Sequence, residues 1–424
     1  MVDMILKVLT LNCWGIPVGS SHRAERMDAI ADELAKEEYD LVCLQEVWLQ
    51  SDYRRIRERT SKQLPFSHYF YSGVLGSGVC ILSKFPIDDV FFHQWPVNGY
   101  IHKIHHGDWF GGKGVGLCQV SINGLRVNVY TTHLHAEYNR ESDEYMVHRV
   151  LQAFDLSQTV RLTSVGADVV ILAGDLNTEP DDLAQRIICH NSELHDAYVF
   201  ARQSESAQGS VTEDQEERET DTSQNHKELL TSSVARNQDC TTSQRKNSIS
   251  LWAGFQQDLS RRIDYILFRS GPEVQVTVES YRQPLPQKVP GQNFSYSDHE
   301  AVLATLRITK GFAQNKAPPP PDTAARASSL QEALALCDRA LVDLRRSRVR
   351  YWFLACSLLL ALLATLGLEA PGAYHRAHNA GRVLATLVLG FAAGMAGVWH
   401  SVEENGILAG RHGMERVLDR LRRD

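Results

Sequence analysis

Short apolar runs recur along the first three hundred residues, bounded by Gly, Asn, Asp or Ser, and between them lie stretches with apolar positions at helical spacing. Residues 5–14 (ILKVLTLNCW) alternate apolar and polar positions and predict a strand. Residues 23–36 put Met27, Ile30, Ala31 and Leu34 on one helical face, and residues 40–47 (DLVCLQEV) suit a strand buried on both faces. A strand, helix, strand unit of this length implies parallel pairing through a crossover. The pattern then predicts a helix over 52–64, short strands at 68–71, 78–83 and 90–95, and a hairpin of 115–122 with 125–134 around Asn123-Gly124. A helix over 140–163 leads to a buried strand at 169–172, which ends in Gly-Asp-Leu-Asn and a helix-opening Thr-Glu-Pro. Further strands follow at 262–268, 275–281 and 301–308.

The pattern breaks in two places. Residues 203–250 are rich in Ser, Thr, Gln and Glu with few aromatics, and are expected to be a disordered insertion. Residues 351–368 (YWFLACSLLLALLATLGL) and 383–399 (VLATLVLGFAAGMAGVW) carry no charge, and each approaches the roughly 17–25 residues of a spanning helix. Two such runs side by side, with almost no polar face, predict a transmembrane hairpin over 351–399. Arg345, Arg346, Arg348 and Arg350 precede it and an Arg-rich stretch follows at 411–423, so both ends of the hairpin are expected in the cytosol. The organisation expected is therefore a large cytosolic domain over 1–310, a Pro-rich linker over 311–329, a juxtamembrane helix over 330–350, the hairpin, and a basic cytosolic tail over 400–424. Ser329 and Glu332 read as a capping box that opens the juxtamembrane helix, whose stripe of Leu330, Leu334, Cys337, Leu341 and Leu344 suits a membrane surface or a partner.

Composition agrees with a cytosolic setting. The opening MVDMILKVLT lacks the apolar core of a secretory signal, and the eight cysteines are scattered without CxxC spacing, which reads as reduced thiols with neither a disulfide framework nor a zinc site. From Leu330 onward 12 Arg face 9 acids, a net of +3, so the chain's total of −7 leaves −10 for residues 1–329. An acidic domain of that kind argues against a nucleic-acid partner.

The candidate chemistry lies where the apolar runs stop. Asn12, Glu46, His133, the Asp175/Asn177 pair, Asp264 and the Asp298/His299 pair all stand at or beside strand termini. Each alone has an ordinary reading as a turn residue, a surface acid, a core histidine or a structural acceptor. Their recurrence in one chain points to metal-assisted hydrolysis of a phosphodiester. Glu46, Asn12 and Asp298 offer oxygens to a hard divalent cation, His299 held by Asp264 suits a general base, and Asn177 and His133 are donors for charge growing on phosphorus. Residues 105–114 (HHGDWFGGKG) leave three roles open: an anion cradle, a lid, or a surface loop.

Taken in order, Asn-Cys-Trp-Gly, Leu-Gln-Glu-Val, Thr-His-Leu, Gly-Asp-Leu-Asn, Arg-Ile-Asp-Tyr and Ser-Asp-His resemble the motifs of the endonuclease/exonuclease/phosphatase superfamily, over residues 1 to 310. The resemblance implies an α/β four-layer sandwich, two central mixed sheets flanked by helices, ahead of the C-terminal two-helix transmembrane hairpin. It makes Glu46 the main Mg²⁺ ligand, with Mn²⁺ as a possible substitute, and puts Asn12 beside it and Asp298 on the metal side. His299 becomes the general base oriented by Asp264, Asp175 and Asn177 position water and phosphate, and His133 supports the leaving group. The stretches HHGDWFGGKG and HLHAEYN, together with the hairpin, resemble those of magnesium-dependent neutral sphingomyelinases of the membrane-bound animal type. That likeness implies hydrolysis of sphingomyelin in the bilayer to ceramide and phosphocholine, with Asp108 and Lys113 in a mobile loop, Asn177 and His135 at the substrate. It also implies an integral membrane protein of the endoplasmic reticulum or another internal membrane. Lyso-phospholipids, which share the phosphocholine group, a membrane-tethered nuclease or inositol phosphate phosphatase, and an inactive membrane scaffold remain the alternatives.

Overall fold

The computed structural model describes residues 2–36, 39–209, 261–311, 322–367, 372 and 374–423, and the chain divides into two compact units, Met1–Arg326 and Ala327–Asp424. In the first unit β1 (Val2–Asn12) pairs in parallel with β2 (Leu41–Gln45), and α1 (Arg23–Lys36) makes the crossover. The same unit recurs further on. There β7 (Leu125–His133) pairs in parallel with β8 (Val169–Asp175) through α3 (Met146–Thr163). Antiparallel strands extend each parallel pair on both sides. The first sheet gains α2 (Gln50–Thr60) on its face, β3 (Phe66–Tyr69) and β4 (Cys80–Ser83) beside β2, and β11 (Val274–Arg282) and β12 (Val302–Lys310) beside β1. The second gains β5 (Ile87–Gln94) and β6 (Gly114–Ile122) on one side, and β9 (His195–Asp196) and β10 (Asp264–Ser270) on the other. The helix α4 (Leu183–Ser192) packs beside α3.

The alternation of β1 explains the layering. Leu6 and Val8 enter the core between the sheets with Cys118, Val129, Ile171 and Phe268, while Leu9 and Leu11 face α1 and α2 with Met27, Ile30 and Ile56. The central strands of each sheet are thus buried on both faces, and the order helix, sheet, sheet, helix is the expected four-layer sandwich of two mixed sheets. The parallel strands pack closely at Gly174, where an added Cβ would stand 2.2 Å from the Thr132 carbonyl oxygen. A Gly174→Ala substitution is expected to force β7 and β8 apart and to destabilise the protein by about 1–3 kcal/mol, read as a lower thermal midpoint in detergent solution.

Several boundaries differ from the sequence reading. Helix α3 starts at Met146 rather than near 140, because Asp143 accepts the Tyr145 amide at 3.1 Å and turns the chain there. A helix missed by the pattern, α5 (Ala197–Gly209), runs into the first residues of the expected insertion, so residues 203–209 are helical; residues 210–250 lie outside the described residues.

In the second unit the capping box does not open a helix. The helix α6 (Thr323–Ala364) begins at Thr323, with the Asp322 carboxylate accepting the Ala324 amide at 2.8 Å, and Ser329 is buried inside it. The juxtamembrane stretch and the first apolar run are therefore one 42-residue helix. A second rod comprises α7 (His375–Gly394), a π-helical turn at Met395–Trp399 and α8 (His400–Leu421). The wider π turn frees backbone carbonyls, and these are taken up: Arg348 donates to Ala396 O at 3.0 Å and His400 Nδ1 to Met395 O at 2.6 Å. Ion pairs of Arg411 with Asp338 and Arg348 with Glu404, both 2.8 Å, run α8 antiparallel to the start of α6. The α6 stripe, buried at Leu330, Ala333, Cys337, Leu341 and Leu344, thus lies beside buried Ile407, Met414 and Leu418 of α8, covered within the chain. Both rods are long and apolar enough to cross a membrane by length and composition.

Candidate active site

The parallel strands finish at one end of the sandwich, where β1 delivers Asn12, β2 leads into Glu46, β7 ends in His133 and β8 in Asp175. Asp264 and the Asp298/His299 pair arrive there differently from the expectation of strand ends. They lie at the start of β10 and just before β12, which run antiparallel to β8 and β1, so a strand start meets the ends of its neighbours. Register completes the meeting, since Asp175 stands opposite both His133 and Asp264.

Asp175 is the hub of the hydrogen bonding. Its Oδ2 accepts from Asn12 Nδ2 at 2.9 Å and lies 3.5 Å from His133 Nε2 and 3.9 Å from His299 Nε2, and its Oδ1 accepts the Asn177 amide at 2.9 Å. Asn12 Nδ2 also reaches Glu46 Oε1 at 3.1 Å, while its Oδ1 accepts the Trp14 amide at 2.9 Å. Asn177 Nδ2 donates to Leu134 O at 3.0 Å. His299 Nδ1 lies 2.8 Å from Asp264 Oδ2. Trp14, Glu46 and Asn177 hold left-handed φ values of 48°, 57° and 47°, a concentration of backbone strain typical of functional sites.

Negative charge here exceeds its compensation. Burial, then Asp298, pushes the Glu46 carboxyl up to about 7, and burial, then Asp264, pushes Asp175 up to about 6; burial also raises Asp298. Glu46 Oε2 is buried without a hydrogen-bond partner. Ligand-type atoms of Asp175, Asp264 and His299 all lie within 4.8 Å of one another. Crowded carboxylate oxygens with an unsatisfied buried oxygen fit a hard divalent cation. Two oxygen-rich faces are present, Glu46 with Asp298 and the tighter Asp175–Asp264–His299 group. Asn12 turns its Nδ2 to Glu46 and Asp175, so its oxygen would face a cation between those carboxylates with the amide turned over. Burial would lower the pKa of His299, but Asp264, Asp175 and Asp298 outweigh it and hold the ring well above the ordinary histidine value. Burial and the Lys113 ammonium keep His133 well below it.

A second cluster adjoins the first. Asp108 and Lys113, both buried, pair at 2.6 Å, and His135 Nε2 lies 3.5 Å from the same carboxylate, which also accepts from the Tyr138 hydroxyl. Burial, first, outweighs the opposing pull of the Asp108 carboxylate and, with a further push from Lys113, holds His135 at about 3, so it is neutral. Lys113 Nζ donates to His133 Nε2 at 3.3 Å and so joins the clusters. Of the three roles open for residues 105–114, the glycines argue against an anion cradle. An added Cβ on Gly112 would stand 2.4 Å from Gly73 N and from Ser72 C, so this glycine serves close backbone packing. Asn98 clamps the loop by donating to Asp108 O at 2.6 Å and Gly111 O at 2.8 Å.

Sequence reasoning missed three supports. Arg26, fully buried, donates to the carbonyls of Cys13, Trp14, Ser21 and Tyr296, strapping the loop after Asn12 to the approach to Asp298. Ser297 Oγ donates to Asn12 O at 2.6 Å, and Gln45 bonds Thr10 and Thr131 across the two sheets. Arg26 stands at the edge of the apolar face of α1 and is not singled out by spacing, since Arg23 lies nearer the centre of that face; Ser297 and Gln45 had no signal, because their partners are distant in sequence.

The model of the Endonuclease/Exonuclease/phosphatase family matches residues 9–299. A putative neutral sphingomyelinase of Drosophila melanogaster is 35% identical over 99% of this chain and 98% of its own length. The Homo sapiens sphingomyelin phosphodiesterase 2 is 35% identical over 98% of this chain and 92% of its own. Among solved structures, sphingomyelinase C from Streptomyces griseocarneus superposes with a TM-score of 0.47 at 18% identity, covering 71% of this chain and 99% of that one. The family match reaches every motif from β1 to His299, and the relatives align through the C-terminal helices as well, so the chain belongs to the Endonuclease/Exonuclease/phosphatase family, in the group of the neutral sphingomyelinases.

Proposed function

We propose that this protein hydrolyses sphingomyelin to ceramide and phosphocholine with Mg²⁺, at the cytosolic face of an internal membrane such as the endoplasmic reticulum. The observation that carries the reading is the 35% identity with sphingomyelin phosphodiesterase relatives over 98–99% of the chain, membrane-length helices included. In this reading the Arg-rich flanks of the two rods face the cytosol.

The chain's own groups account for the chemistry. Asp264 holds His299 Nδ1 and leaves Nε2 to take a proton from the attacking water. Glu46 with Asp298, or the Asp175 group, would hold a divalent cation, whose positive charge would attract the phosphate oxygens and offset the crowded carboxylates that keep His299 charged. Asp175 and Asn177 orient water and phosphate, and His133, neutral and hydrogen-bonded to Lys113, supports the departing ceramide oxygen. Asp108, Lys113 and His135 line the headgroup side.

The purified full chain is expected to release ceramide from sphingomyelin vesicles with Mg²⁺, to stop when EDTA is added, and to recover when Mg²⁺ is restored. Lyso-phospholipids carrying phosphocholine, assayed side by side, separate the two lipid classes. Cleavage of DNA or inositol phosphates alone would overturn the reading.

A further inference from the structure

Three loops at the active-site end expose large apolar side chains and carry no charge: residues 14–19 (WGIPVG), 71–78 (YSGVLGSG) and 109–112 (WFGG). Val74 is 78% exposed, Val18 72%, Tyr71 65% and Leu75 50%, with Ile16 at 41% and Phe110 at 36%. A single exposed apolar residue is ordinary, but apolar tips on neighbouring loops around one mouth are a surface feature with a purpose.

Their placement follows from close backbone contacts. An added Cβ on Gly15 would stand 2.1 Å from the Glu46 carbonyl oxygen, so the 14–19 turn lies against the strand end that bears Glu46. The other two loops are clasped to each other by a bridge between Gly73 and Gly111, by Val74 N donating to Phe110 O at 3.2 Å, and by Gly112 N donating to Gly76 O at 2.9 Å. Trp48, two residues past Glu46, lies against both of them, with ring atoms 3.0 Å from a Cβ on Gly78 and 3.1 Å from one on Gly111. The apolar tips and the catalytic carboxylate therefore belong to one packed rim.

We propose that these loops form a lipid-docking face, by which the catalytic unit seats its own rim on the bilayer that holds its substrate, in addition to any anchoring by the C-terminal helices. The inference rests on the reading of the substrate as a phosphocholine lipid. Such a lipid keeps its acyl chains in the membrane, so its phosphodiester reaches Glu46 and His299 only where the rim meets the headgroup zone. Loops without charge lose no ion hydration on entering that zone, and aliphatic tips with a Tyr among them are the side chains that partition there.

The test uses the full chain reconstituted in vesicles. In a Val74→Asp/Leu75→Asp variant, turnover of sphingomyelin in vesicles is expected to fall about tenfold or more, while turnover of a short-chain, water-soluble sphingomyelin below its micelle concentration stays within about twofold. A Val74→Phe/Leu75→Trp variant should keep the vesicle rate. An unchanged vesicle rate in the aspartate variant, or an equal loss on both substrates, overturns the proposal, because the loop then serves something other than the bilayer. Failure of the wild type on every phosphocholine lipid would instead count against the substrate reading. A separate readout then decides the docking: the tryptophan of a Val74→Trp variant, taken as the difference from wild type, is quenched by vesicles with brominated acyl chains, and lack of quenching overturns docking whatever the substrate.

Discussion

A His299→Ala protein is expected to lose roughly 10²–10⁴-fold in turnover, about 3–5 kcal/mol of transition-state stabilisation, with little change in substrate binding. The expectation follows from geometry. His299 sits just before β12, its Nδ1 is tied to Asp264 at 2.8 Å, and Nε2 turns toward Asp175 at 3.9 Å, so the ring is oriented at one nitrogen and presented at the other. Asp264→Asn should fall to a similar extent, since an amide that donates to Nδ1 puts the proton on the wrong nitrogen. Because the two act as a unit, the double variant should be scarcely worse than the worse single one. The measurement is kcat on short-chain sphingomyelin at saturating metal, with the thermal midpoint as a folding control. A His299→Ala protein that folds normally and keeps a tenth or more of the turnover, against the roughly hundredfold minimum expected of a general base, would remove His299 from that role.

How much of this arrangement could be read from the chain depends on whether local pattern or distant pairing decides it. Helix α1 and the strands around Asn123-Gly124 follow from periodicity and turn chemistry, and the structure has them over Arg23–Lys36, Gly114–Ile122 and Leu125–His133. The polar residues at the apolar-run termini were equally visible. Sequence did not carry strand direction: Asp264 and His299 reach the site because β10 and β12 run antiparallel to their neighbours, and pairing of that kind is set by residues far apart in the chain. The capping box at Ser329 failed for a related reason. A better cap, Asp322, lies upstream, and Ser329 is buried within the helix, a tertiary burial invisible to local spacing. The glycines at 111–112 left a cradle, a lid and a surface loop all open in sequence and serve backbone packing in the structure, because a glycine's reason lies in what approaches it.

Glu46 yields the other large effect, and its sign differs between activity and stability. The side chain leaves the end of β2 from a left-handed residue, its Oε2 is buried without a partner, and burial with the neighbouring Asp298 lifts the carboxyl to about 7. A group so placed is uncomfortable without a counter-charge. In a Glu46→Gln protein the shape and the Asn12 contact are kept while the charge is removed. Without metal, the thermal midpoint should therefore stay level or rise, since the repulsion from Asp298 is gone. With metal, the wild type should gain stability as RT ln(1 + [L]/Kd), about 2.7 kcal/mol at a hundred times Kd, and the variant should lose most of that gain. Turnover at subsaturating Mg²⁺ should drop by about two orders of magnitude and recover in part as the metal is raised, as expected when a ligand to a cation that serves the reaction is weakened. A purely structural Glu46 would behave in the opposite way, with a lower midpoint in EDTA and a metal-induced shift equal to that of the wild type. Thermal unfolding of both proteins across a metal titration separates the two cases without any appeal to activity.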